Sequence, residues 1–405
     1  NPAEAAQALA RRVVTRLQEA GHAAYFAGGC VRDTLMGRPP KDFDVATAAE
    51  PPAVLALFPR SQQVGVAFGV VLVREKRAQV EVATFRADGT YSDGRHPDAV
   101  RFTTAEEDAR RRDFTCNGLF FDPLAKVLHD YVGGRADIEA KVLRAIGSAR
   151  ERFGEDHLRM LRAVRFAARL EFAIAPETWE AMAQLQGNIG GISRERIGEE
   201  VRMMLEHPAR AAAARLLAEL PTMFEGVFGF SAGTERLFAT LANLPTGTRR
   251  HVALAALLRD VGADAAPMVP VLRRRLMLSN EESEALAWLA AKRPLVEAWE
   301  DLSKAATKRL MAHREWQGLE ALYRAEPDRG EEMLAFAERV ASLREEGVAP
   351  PPHVTGQVLI GMGAHPGPTF KGWLDALYDR QLEGEFADAV AALAAARRLM
   401  GDPRS

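Results

Sequence analysis

A change of texture near Gly133 limits this chain more than any other feature. From about Ala23 to Tyr131, short β-type runs alternate with turns. After Gly133, Ala, Leu, Arg and Glu dominate, β-branched runs disappear, and helical periodicity continues almost to the end. The pattern predicts an α/β segment followed by a helical array with no fixed repeat period. Strands are expected over 23–27, 43–46, 69–73 and 79–85, with a fifth near 119–122, and helices over 30–36 and around 52–57. The first twenty residues carry Arg11, Arg12 and Arg16, and a transit peptide is conceivable. Glu4, Glu19 and the spacing of Leu9, Val13 and Leu17 favour an ordinary amphipathic helix. Pro208, Pro221, Pro245, Pro270 and the run at 350–352 interrupt the helical part.

A chain of 405 residues is too long for one compact core, and the texture divides it. The expected domains are a head over 1–145, a helical neck over 146–205, a helical body over 206–350 and a helical tail over 351–405. The two cysteines, Cys30 and Cys116, have no metal-ligand spacing and suggest no disulfide framework, which points to a reducing cytoplasm. No apolar run approaches the ~20 residues that span a bilayer, so no membrane partner is expected. The formal net charge of −2 is a mild argument against a nucleic-acid partner, although it permits a basic face on one side.

The strand at 23–27 runs into Gly28-Gly29 and then Cys30-Val31-Arg32-Asp33. Two glycines let the backbone turn sharply and approach an anion, the following helix offers N–H groups, and Arg32 adds a charged fork. Alone, such a turn is more often only a turn. Shortly after comes Lys41-Asp42-Phe43-Asp44-Val45. Residues two apart on a strand share a face, so Asp42 and Asp44 would hold their carboxylates together. Close carboxylates repel unless a cation joins them, and Mg²⁺ takes oxygen ligands together with substrate phosphates. An isolated Asp-x-Asp is otherwise a solvated strand edge. Together, turn and carboxylates supply both halves of a nucleotidyl-transfer site. Glu81 is either a third metal ligand or an edge glutamate.

At this point a family is identifiable. The run GGCVRDTLMGRPPKDFDVAT closely resembles the signature of class II tRNA nucleotidyltransferases and their bacterial poly(A) polymerase relatives, within the polymerase-beta-like superfamily. VGVAFGVVLV, VEVATFR, RRDFTCNG, YVGGRADIEAKVLRAIG, RFGEDHLRMLRAVRFAARL and SRERIGEE follow in the family's order. The head and neck are covered almost continuously, and 220–350 only loosely. The resemblance implies an α+β nucleotidyltransferase head with a small sheet, an all-α C-terminal array whose tail binds tRNA, and Mg²⁺ as cofactor. It places Gly29 and Arg32 at nucleotide phosphates, Asp42 and Asp44 at metal, Arg112 at the nucleotide, and Asp113 with Asn117 at the ribose. Asp156 and Arg159 match the pair that reads the incoming base, with Arg162 and Arg165 holding phosphates or orienting the site. All four are expected on one continuous helix over 155–170, with Glu155 bracing Arg159 from one turn away.

The function implied is addition of CCA to tRNA 3′ ends from CTP and ATP. Poly(A) synthesis, partial CC or A addition, and a non-catalytic RNA-binding protein are the alternatives. Poly(A) relatives tend to carry paired basic residues where this chain reads Gly65-Val66-Ala67-Phe68-Gly69, and long basic C-terminal extensions, whereas this sequence stops at Ser405. The polar segment 86–101, with Asp93, Arg95 and Pro97, resembles the family's full-length loop, which is expected to shift the base-reading pair between C and A. Some relatives carry a His-Asp phosphohydrolase domain. Here Arg259 stands where a metal-binding histidine would, and a guanidinium cannot become a ligand.

Overall fold

The structure, a computed structural model, describes residues 2–64, 69–76, 78–88, 100–261 and 265–401. The residues read above as Gly65–Phe68 and the interior of the polar loop, 89–99, lie outside them. The described residues group into two compact units. The first spans the chain to Ala232 and takes in Arg274–Met277; the second comprises Gly233–Arg273 and Leu278 onward.

The first unit opens with α1, Pro2–Glu19. Leu9, Val13 and Leu17 are buried on one stripe while Arg11, Arg12 and Arg16 face solvent, as helical spacing dictates. The helix lies on a sheet built from β1 Ala24–Ala27, β2 Asp44–Thr47, β3 Gln62–Gln63, β4 Val70–Glu75 and β5 Ala78–Thr84. After a ribbon of β6 Arg86–Asp88 and β7 Val100–Phe102, β8 Leu119–Asp122 and β9 Val127–Asp130 complete it. The spatial order is β3-β4-β5-β2-β1-β8-β9; β2 and β5 run parallel and the other neighbours antiparallel. Strand β5 shows why this sequence pleats: Val80, Val82 and Thr84 are buried, Gln79 and Glu81 exposed. The polar segment is anchored at both ends by the β6–β7 ribbon, with Arg86 opposite Phe102 and Ala87 opposite Arg101.

Helix α2 is Gly29–Leu35, and α3, Pro51–Leu57, starts on prolines that need no N–H partner there. Thr104 caps α4, Ala105–Arg110, by accepting from Glu107 N. Next, α5, Gly134–Glu139, presses so closely on the chain that a Cβ at Gly134 would lie 2.1 Å from Thr115 O. Then follow α6 Ala149–Glu155, α7 Leu158–Leu170, α8 Pro176–Leu185 and α9 Arg194–Leu205.

The expected continuous helix over 155–170 is two helices. Asp156 is extended (φ −148°, ψ 104°), and its Oδ1 accepts from Leu158 N at 3.1 Å. A short carboxylate that caps the next helix competes with the backbone ladder of the previous one, which is why the break falls there. Pro270 also does not interrupt a helix; it lies in the first turn of Met268–Leu276, where its missing N–H costs nothing.

The second unit is helical. In it Glu326 is buried against the guanidiniums of Arg236, Arg259 and Arg293, so Arg259 is held in an ion-pair cluster. His251 Nε2 lies 3.0 Å from Glu315 Oε2. No helix among the described residues is long and apolar enough to cross a membrane.

Candidate active site

A cleft of about 660 Å³ in the first unit brings together every residue that the resemblance assigns to nucleotide or catalysis: Gly29, Arg32, Asp42, Asp44, Arg112, Asp113, Asn117, Asp156, Arg159, Arg162 and Arg165. Its base is the β1–α2 turn beside the start of β2. Gly28 sits at φ 68°, a conformation that favours glycine, and a Cβ there would come within 3.3 Å of Arg112 Nη1. At the entry to β2, Phe43 turns inward onto Phe26, with ring centroids 5.5 Å apart, which leaves Asp42 and Asp44 exposed on the opposite face. Glu81 lies on β5, one residue before the paired Val45 and Val82, and is not among the residues lining the cleft.

Although Asp44 keeps solvent contact, it stands among protein walls. Its pKa is raised to about 6, first by burial and then by the charges of Glu81 and Asp42, against Arg112. Such a carboxylate gains from a bound cation. Among the described residues no cation forms an ion pair with Asp42 or Asp44, and no three His, Cys, Asp or Glu side chains are arranged to hold a metal unaided. The donor set therefore suits a hard divalent ion that takes its remaining oxygens from substrate and water. Because a proton and a metal compete for the same oxygens, divalent affinity should be level above about pH 7 and weaken up to about tenfold per unit below about pH 6. Metal titrations from about pH 5 to about pH 8 check this; a flat profile would contradict it.

The arginines above the turn are held in place by buried carboxylates. Asp108 on α4 accepts from Arg111 Nε at 2.9 Å and from Arg112 Nε and Nη2 at 3.1 and 2.9 Å, and it also takes Arg86 N at 3.2 Å. Burial pushes the Asp108 pKa up, but Arg112 and Arg111 more than offset this and leave it below the usual carboxylate range. Asp113 receives Arg162 Nε and Nη2 on one oxygen, at 3.0 and 2.6 Å, and Phe114 N and Asn117 Nδ2 on the other. There too burial is outweighed by Arg162, and the pKa is lowered. Arg32 Nη1 donates to Asn117 Oδ1 at 2.6 Å, so the expected phosphate and ribose groups form one hydrogen-bonded unit.

Asp156 and Arg159 are both buried, and each is held by a different partner. Arg196 Nη2 donates to Asp156 Oδ2 at 2.6 Å, and Arg159 Nη1 donates to Glu155 Oε2 at 2.7 Å and to Arg152 O at 3.1 Å. No described protein acceptor takes the hydrogens on Arg159 Nε and Nη2. Arg165 Nε donates to Glu200 Oε2 at 2.6 Å. The sequence reading missed Arg196 and Glu200, although SRERIGEE places them one helical turn apart on α9. It also missed Asp108, whose spacing of three and four residues before Arg111 and Arg112 was a readable signal. Among the described residues, every cation lining the cleft is ion-paired except Lys41 and Arg169.

Comparison with known proteins identifies the family. Residues 24–144 match the family described as poly A polymerase head domain, and 171–225 match the probable RNA and SrmB- binding site of polymerase A. The CCA-adding enzyme of Bacillus subtilis is 42% identical over 253 residues, 62% of this chain and 63% of that one. The crystal structure of the Bacillus stearothermophilus CCA-adding enzyme in complex with CTP superposes with a TM-score of 0.80 at 30% identity, covering 99% of each chain. The CCA-adding enzyme of Geobacillus stearothermophilus is 36% identical over 381 residues. That identity is sustained over 92% of both lengths, more than a shared fold alone would preserve, and this chain belongs to the family of CCA-adding enzymes.

Proposed function

We propose that this chain adds C, C and A in turn to the 3′ end of tRNA, taking CMP from CTP and AMP from ATP and releasing pyrophosphate, without a nucleic-acid template. One observation carries the reading: a single cleft holds two carboxylates that form no ion pair among the described residues and, on the same lining, a buried acceptor–donor pair, Asp156 and Arg159. The β1–α2 turn and Arg32, with Arg112, receive the triphosphate, and Asn117, tied to Asp113, faces the ribose. Asp156 accepts from the exocyclic amine of C or A, using lone pairs left beside its bonds to Leu158 and Arg196, while Arg159 donates to the ring nitrogen. U and G would set a carbonyl oxygen against the carboxylate and leave both acceptors unpaired. The RNA 3′ oxygen attacks the α-phosphorus and the bond to pyrophosphate breaks.

Asp42 and Asp44 would hold the divalent ion that this chemistry requires, and we assign it as Mg²⁺ on their all-oxygen donor set. When bound, it supplies positive charge at the attacking and leaving oxygens. Cys30 and Cys116 are buried free thiols whose pKa values burial pushes up to about 11 and about 12, and inert thiols of this kind suit a reducing cytoplasm.

Incorporation of separately labelled nucleotides tests the function. On tRNA lacking its tail, CTP alone should give two additions, and CTP with ATP should give a third and then termination. Long A tails on unstructured RNA would instead make the chain a poly(A) polymerase.

A further inference from the structure

Lys41 and Arg169 are the cleft cations that no carboxylate among the described residues neutralises. They do not stand alone. Arg169 lies one turn beyond Arg165 on α7, and both residues line the cleft and also a small adjoining hollow walled by Met203, Met204 and His207. Whereas Arg165 is matched by Glu200, Arg169 is surrounded mainly by like charge. Burial, then Arg32, Arg165 and Arg38, partly opposed by Asp33, lower its pKa. Asp33 is itself engaged, its Oδ1 taking both Arg32 Nε and Nη2 at 2.9 and 2.7 Å. Burial, followed by Arg169, Lys41, Arg210 and Arg165, holds His207 below the ordinary imidazole range. His207 is therefore neutral near pH 7. Its Nδ1 accepts from Ala209 N at 3.1 Å, which leaves Nε2–H as a donor.

We propose that Lys41 and Arg169, continued by Arg38 and the Nε2–H of His207, seat backbone phosphates of the RNA acceptor strand, separately from the incoming triphosphate. The inference rests on the function proposed above. The strip's extent argues for a polymer: Arg38 and His207 are outside the cleft lining, so a nucleotide enclosed by the cleft would not span the strip. The triphosphate already has the glycine turn, Arg32 and Arg112. Uncompensated cations following a path out of the cleft are what a phosphodiester chain requires.

The test uses the full chain with tRNA lacking its tail and compares wild type with Arg169→Gln, Lys41→Gln and Arg169→Lys. Arg12→Gln serves as a control, since Arg12 pairs with Glu75 on the exposed face of α1. Each glutamine variant should raise the KM for tRNA about three- to tenfold and flatten the logarithmic salt dependence of RNA binding by about 0.7 per lost phosphate. The KM for CTP should hold, Arg169→Lys should recover most of the loss, and the control should match wild type. A raised KM for CTP with an unchanged KM for tRNA would overturn the proposal in favour of the triphosphate. No change in either would overturn it outright. Arg169→Gln decides the case if Lys41→Gln, beside Asp42, also lowers kcat. Failure of the underlying function would look different, because wild type itself would then not add C, C and A in turn to tRNA lacking its tail.

Discussion

Replacing Asp42 or Asp44 with alanine is expected to cut nucleotide incorporation by about a thousandfold or more, since divalent-ion stabilisation of the transition state is worth several kcal/mol. The fold should be unaffected. Both side chains are exposed, and among the described residues neither bonds to a cation that would be left behind. Asp44 bears on stability as well as on metal binding. Its folded pKa of about 6 lies above the ordinary value of 3.8, so the folded state binds more protons than the unfolded chain between these values. The ionised carboxylate therefore disfavours folding, an effect that grows as pH rises through that window and is complete above it. At neutral pH, Asp44→Ala should keep or raise the melting temperature while activity collapses. Near-normal turnover in either variant would mean that its carboxylate is not a metal ligand.

The second large effect concerns the choice of base. Asp156→Ala or Arg159→Ala should relax discrimination against UTP and GTP by roughly five- to 150-fold, the equivalent of about 1–3 kcal/mol for an unpaired buried polar group. Arg196→Ala should shift preference the same way by less, because it removes the clamp on Asp156 and leaves the acceptor in place. The measurement is kcat/KM for all four nucleotides on one tRNA end. Loss of rate at unchanged preference would assign these residues a purely structural role.

What the sequence made legible follows from where the information lies. Strands such as Asp44–Thr47 and Ala78–Thr84 carry their own alternation and could be read nearly to the residue. Gln62–Gln63 and Val127–Asp130 were not predicted: they are the outer strands of the sheet, short or partly polar, and only their neighbours make them strands. The residues brought to the cleft lie in contiguous motifs, so resemblance could assign them. Their supports mostly could not be read, because Asp156 meets Arg196 from 40 residues away and Arg165 meets Glu200 from 35. The apolar stripe of α7 likewise concealed the break at Asp156. Periodicity reports which face is buried and does not register one carboxylate turning back to cap a helix.

The central claim is that protein side chains in one cleft both choose the nucleotide and present it for transfer. A crystal structure of this chain with CTP and Mg²⁺ tests it most directly. The cytosine amine is expected at Asp156 and its ring nitrogen at Arg159, the triphosphate over Gly29 and Arg32, and the metal on Asp42 and Asp44. A cytosine edge bound elsewhere, with Asp156 and Arg159 still facing only Arg196 and Glu155, would contradict it.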